Sequence, residues 1–139
     1  MIKYHDPIGK TIMNPELEFI MKLLSKDASY WLSGSGESSL EFADNKSSLI
    51  FFKEKKYGVF IMQLPDYLSP YKTDENIEIV HHDISGVPFQ TPSNCYFSVK
   101  EALKMLTSFV ENKSIINIGN WKNIYKIIDE SGCECDDEY

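Results

Sequence analysis

The sequence predicts a single-domain α+β fold in which one antiparallel sheet carries helices packed on it, and three observations predict it. Ser98 and Glu101 form a capping box, in which the serine oxygen accepts from the Glu101 amide and the glutamate reaches back to the Ser98 amide. Behind it Val99, Ala102, Leu103, Leu106, Phe109 and Val110 recur at three- and four-residue steps, with Lys100, Lys104 and Glu111 opposite, so an amphipathic helix is expected over about 98–112. Residues 39–42, 48–52 and 57–62 are strand-like runs joined by the short polar turns 43–46 and 53–56, the pattern of an antiparallel β-meander. The second and third runs are apolar at consecutive positions, which fits a sheet covered on both faces.

Taken in order, residues 1–13 offer only scattered apolar side chains, Tyr4, Ile8, Ile12 and Met13, which suit an edge strand or a packed tail. Asn14 as N-cap with Pro15 at the first helical position opens an N-terminal helix over about 15–25, with Leu17, Ile20, Met21 and Leu24 on one face and Glu16 and Glu18 at the positive end of its dipole. Tyr30, Trp31 and Leu32 read as a short strand entering a turn at Ser33, Gly34, Ser35 and Gly36. That turn lacks the lysine and hydroxyl of a P-loop and the third glycine of a dinucleotide fingerprint.

After the meander the pattern stops over residues 65–76, a loop of about a dozen residues with two tyrosines among three acids; a loop of that length is characteristically functional or disordered. Residues 77–81 alternate as a further strand, and a two-proline loop, from Gly86 to Pro92, leads into the capped helix. Residues 115–118, apolar and β-branched, are expected to form a short strand closed by Gly119. Trp121, Ile124, Tyr125 and Ile128 suit a last helical turn or two, or a strand. The globular domain is expected to span residues 1–128, and the acidic residues 129–139 to form a disordered tail.

Composition narrows the function classes. With 139 residues, 42% hydrophobic and 25% charged, the chain is an ordinary globular length and composition. It contains no apolar run of the roughly 18 residues a membrane span requires, and no leader-like N-terminus, so a cytoplasmic protein is expected. Cys95, Cys133 and Cys135 form an odd set with one pair a single residue apart, which suits a reducing compartment and not a disulfide framework. Six of the 21 acids lie from Asp129 onward, leaving 15 against 14 bases in the body. All 14 bases are lysine, so there is no guanidinium fork for bidentate phosphate or guanine recognition, and direct nucleic-acid binding is not expected.

No catalytic set, cofactor site or metal site emerges from residue types. His81, His82 and Asp83 with Cys133 and Cys135 are the only collection of metal-ligand types. Neighbouring strand residues point to opposite faces, however, and Cys-x-Cys lacks the spacing of structural zinc sites. Cys95, just before the capped helix, reads as a small buried thiol, although a nucleophile paired with a histidine is the alternative.

The order of these features resembles a family of bacterial immunity proteins encoded beside polymorphic toxins, including those of contact-dependent growth inhibition, often with deaminase or nuclease activity. The resemblance spans about 31–121. It rests on the Gly34, Ser35, Gly36, Glu37 turn opening the meander, the Ser85, Gly86, Val87, Pro88 turn, Pro92 before the capped helix, Glu101, Ala102, Leu103 and Phe109 within it, and Trp121 after the last strand. Where those proteins carry a glycine and a proline between helix and last strand, this chain has Asn112, Lys113 and Ser114. The resemblance implies a non-enzymatic inhibitor that binds the C-terminal domain of a cognate toxin and occludes its active site or substrate groove. Nucleic-acid-directed toxins present basic surfaces, so acidic and aromatic residues are the interface candidates: Asp66, Tyr67, Tyr71, Asp74 and Glu75 in the long loop, with Asp44 and Glu54 on neighbouring turns. The alternatives are a small cytoplasmic enzyme using Cys95 or a histidine, and an adaptor domain binding some other protein.

Overall fold

The computed structural model describes residues 2–27, 30–31, 36–42, 48–64, 66–73, 77–84, 87–112 and 121–131. Their order is β1 (Ile2–His5), β2 (Thr11–Met13), α1 (Leu17–Leu24), β3 (Ser38–Phe42), β4 (Ser48–Glu54), β5 (Gly58–Leu64), β6 (Leu68–Pro70), β7 (Ile79–Ile84), β8 (Val87–Pro92), a 3-10 turn (Ser93–Cys95), β9 (Tyr96–Phe97), α2 (Val99–Asn112), β10 (Trp121–Asn123) and α3 (Ile124–Ser131). Eight strands form one antiparallel sheet in the order β10-β6-β5-β4-β3-β1-β2, with β9 on β5, while β7 and β8 form a separate ribbon. The α+β class, the meander β3–β4–β5 and the two expected helices are all present.

The consecutive apolar positions of β4 and β5 follow from a three-layer arrangement. Leu49, Phe51, Val59 and Ile61 stand on the face that holds Tyr4, where the Tyr4 ring meets Phe19 of α1 edge-on at 5.2 Å and α2 packs alongside α1. Ile50, Phe52, Phe60 and Met62 stand on the other face, beneath the β7–β8 ribbon. There His82 lies flat on Phe52, with ring centroids 3.8 Å apart, and its Nε2 bonds to the Gly36 carbonyl oxygen at 2.7 Å. His81, its neighbour, faces solvent, as strand alternation requires. The Thr91 hydroxyl donates to the Val80 carbonyl and accepts from the Tyr96 phenol at 2.7 Å, tying the ribbon to β9.

β9 comes close enough to β5 that only glycine fits opposite it. Gly58 has φ +106°, and a Cβ there would lie 2.4 Å from the Phe97 carbonyl oxygen. The preceding turn is closed by Glu54, whose carboxylate accepts from the Lys56 and Tyr57 amides at 2.7 and 2.8 Å.

The capping box forms as expected. Ser98 Oγ accepts from the Glu101 amide at 3.2 Å, and Glu101 Oε1 from the Ser98 amide at 3.4 Å. At the other covering helix, Lys53 reaches from β4 to the C-terminus of α1, donating to the Leu24 and Lys26 carbonyls at 3.1 Å each.

Several expectations are corrected. The first helix begins at Leu17, with Glu16 as N-cap, because Asn14 is used elsewhere: at φ +48° its side chain accepts from the Ile2 amide and its own amide donates to the Ile2 carbonyl, closing β1 against β2. Residues 2–13 yield two strands: β2 is the expected edge strand, and β1, which the sequence pattern does not predict, is inserted between it and β3. Tyr30 and Trp31 are helical, not extended. The two-proline loop is strand β8; a two-stranded ribbon has only edges, so residues lacking an amide proton are accommodated. Residues 68–70 of the supposed loop are β6. Trp121 opens strand β10, the helix follows it, and residues 129–131 are the last turn of α3 instead of tail. The expected strand 115–118 and the rest of the tail, with Cys133 and Cys135, lie outside the described residues.

Candidate partner-binding site

The sequence between β5 and β6 turns on Asp66 and Tyr67, and Tyr67 is held at φ +57°, an unusual conformation for a bulky residue. Its restraints come from the other end of the chain. The Tyr67 carbonyl accepts from the Ile124 amide at 3.0 Å, and the Asp66 carbonyl accepts from the Asn123 side-chain amide at 3.1 Å. The Asn123 oxygen meanwhile accepts from the Tyr125 and Lys126 amides at 2.9 and 3.3 Å, so one side chain caps α3 and clamps the β5–β6 turn. Strand β10 pairs with β6 immediately beyond.

The clamp brings two aromatic rings together on the surface. Tyr67 and Tyr125 meet edge to face with centroids 5.7 Å apart, and they remain 41% and 51% exposed. Ile124, Ile127 and Ile128 turn inward, leaving Tyr125 and Asp129, one helical turn apart, on the outer face of α3. Asp66 is exposed beside Tyr67, and Glu130 pairs with Lys122. Partial burial, and secondarily Tyr67, raise the Tyr125 phenol above its ordinary pKa. The Tyr125 hydroxyl is therefore a neutral donor at physiological pH. Two rigid aromatic rings of low side-chain entropy, flanked by acids, are the composition of an interface anchor.

Of the expected interface residues that are described, the structure joins Asp66 and Tyr67. Tyr71 is half-buried and packs against the core, so it is not an available anchor. Glu54 is occupied in its turn at the opposite end of β5, about 20 Å away at ~3.3 Å per strand residue. Asp44, Asp74 and Glu75 lie outside the described residues. Tyr125 and Asp129 were missed as site residues. The signal that finds them is the spacing of Ile124, Ile127 and Ile128, which leaves Tyr125 off the buried stripe.

The other side chains of chemical interest have structural surroundings. Cys95 is fully buried, its thiol lies 3.8 Å from Asn94 Oδ1, and burial pushes its pKa up to about 12, far from the thiolate that nucleophilic attack requires. His5 bridges Thr11 and Glu41, at 3.0 and 3.1 Å. Among the described residues, no group of three or more His, Cys, Asp and Glu side chains could hold a metal ion, and no helix is long and apolar enough to cross a membrane. No protein-family model matches the chain, and no curated protein matches its sequence.

Proposed function

We propose that this is a bacterial immunity protein that acts in the cytoplasm, where it binds the C-terminal domain of a cognate toxin and blocks its active site or substrate groove. The observation that carries the reading is the clamped Tyr67–Tyr125 pair with Asp66 and Asp129 beside it. A surface aromatic pair held by backbone and side-chain hydrogen bonds binds without first losing much conformational freedom. The surrounding acids suit a basic toxin, such as a nuclease or deaminase, and the chain beyond α3 adds Glu134, Asp136, Asp137 and Glu138. The resemblance in element order to toxin-associated immunity proteins points the same way, and inhibition by occlusion asks for no chemistry from this chain.

Co-expression with the C-terminal domain of the toxin encoded beside it is the direct test. Rescue of growth and recovery of a stoichiometric complex are expected. Continued killing, with no complex after purification, rejects the immunity reading.

A further inference from the structure

We infer that the free edge of β2 is a self-association surface on which a second copy of this chain pairs β2 against β2 about a two-fold axis at Ile12. The hydrogen-bond phase of β1 and β2 establishes which groups face outward. Asn14 donates its amide to the Ile2 carbonyl, and Asp6 donates its amide to the Lys10 carbonyl, at 2.7 and 2.9 Å. Antiparallel pairs alternate between bonded and non-bonded, so the bonded pair between these two is Tyr4 with Ile12. The amides and carbonyls of Thr11 and Met13 therefore point away from β1, and among the described residues β2 is the last strand of the sheet.

Those outward groups are complementary to themselves. With the axis at Ile12, Thr11 of one copy faces Met13 of the other in a bonded pair, and the converse pair repeats it, giving four backbone hydrogen bonds. Ile12 meets its own counterpart in the closer, non-bonded pair between them. The side chains agree. Ile12 shares the face of its partner Tyr4, which is the face α1 covers, and Leu17 and Met21 of α1 are 41% and 48% exposed. A two-fold axis perpendicular to the sheet keeps both α1 helices on that face, with the two Ile12 side chains meeting at the axis.

Charge also favours a second copy. Thr11, Ile12 and Met13 carry none, and the register sets Lys10 opposite Asn14 of the other chain, next to the exposed Glu16 that starts its α1. Within Thr11–Met13 there is no lysine or proline to block pairing, and the three-residue length limits the seam to these four backbone bonds.

Sedimentation equilibrium on the full chain tests the inference, alongside two variants. A dimer is expected at concentrations of about 100 μM. Ile12→Lys, which sets like charges directly opposite across the axis, should raise the dissociation constant at least about tenfold. Met13→Pro removes an outward amide and no bond to β1, and should do the same with an unchanged far-ultraviolet circular dichroism spectrum. If Met13→Pro unfolds, Ile12→Lys decides. Register is read separately in a Cys133→Ser, Cys135→Ser background, where Ile12→Cys should form a disulfide-linked dimer on mild oxidation and Thr11→Cys should not. A wild-type chain monomeric to about 1 mM, or a dimer that survives Ile12→Lys, overturns the inference. So does a chain that is monomeric alone and buries this edge only against a strand from another protein.

Discussion

At the β10 end of the sheet the last strand runs straight into a capped helix, with polar hydrogen bonds fastening the adjoining turn and two tyrosines and two acids on the surface above. At the β2 end the last strand is three uncharged residues, exposed throughout. One sheet thus ends in two chemistries. The first suits a foreign surface of opposite charge, because acids steer and tyrosines anchor. The second suits a surface like itself, because an unpaired backbone edge takes any matching strand and the two-fold axis supplies one. What separates them is charge more than hydrophobicity, since both ends expose large apolar side chains.

The strongest loss of binding is expected from substitutions at the β10 end. Replacing Tyr67 and Tyr125 together by alanine should weaken toxin affinity about 100-fold, or ~3 kcal/mol, by titration calorimetry. Self-association should be untouched, and because both rings are substantially exposed the thermal midpoint should move little. Unaltered affinity would move the interface off this end.

An intermediate effect is expected away from both ends. Ser98→Ala should cost about 1 kcal/mol of stability in urea unfolding while leaving toxin binding and self-association in place. Part of that cost depends on pH. Hydrogen bonds from the Ser98 side chain and amide hold the folded Glu101 carboxyl below its ordinary value of 4.5. Its contribution is therefore complete above that value and lost as pH falls through the lower folded one. The difference between wild type and variant should narrow below about pH 4. A gap that stays constant would show that the carboxylate plays no part in the cap.

The smallest effect is electrostatic. Asp66→Asn with Asp129→Asn should slow association with a basic toxin domain a few-fold at low salt, and this loss should vanish at about 0.5 M salt. The off-rate should scarcely change. An equal loss at both ionic strengths would indicate that these acids make direct contacts instead of steering.

The elements specified by neighbouring residues were legible in the sequence. Ser98 and Glu101 cap their own helix, and the β3–β4–β5 meander is a run of adjacent strands joined by short turns. Elements specified across the fold were not. Asn14 looks like an N-cap until Ile2, twelve residues earlier, claims its side chain. Pro88 and Pro92 suggest a loop unless the strand has no neighbour beyond its hairpin partner. Half of the candidate site was readable, since acids and tyrosines stand out between β5 and β6. Tyr71 could not be separated from Tyr67 on composition, because burial against the core is decided by β6 pairing with both β5 and β10. Tyr125 joins the site through contacts made across the fold, the Asn123–Asp66 and Ile124–Tyr67 hydrogen bonds and the pairing of β10 with β6.

That last bond has a consequence for protein synthesis. Asp66 and Asn123 are 57 residues apart in the chain. On a ribosome adding about 5–20 residues per second, Tyr67 therefore precedes the residues that lock it by roughly 3–11 s. Throughout that interval the nascent chain has one tyrosine of the pair and lacks the Asn123 and Ile124 hydrogen bonds to its turn. The tyrosine pair is therefore assembled only after Asn123 and Tyr125 have been made.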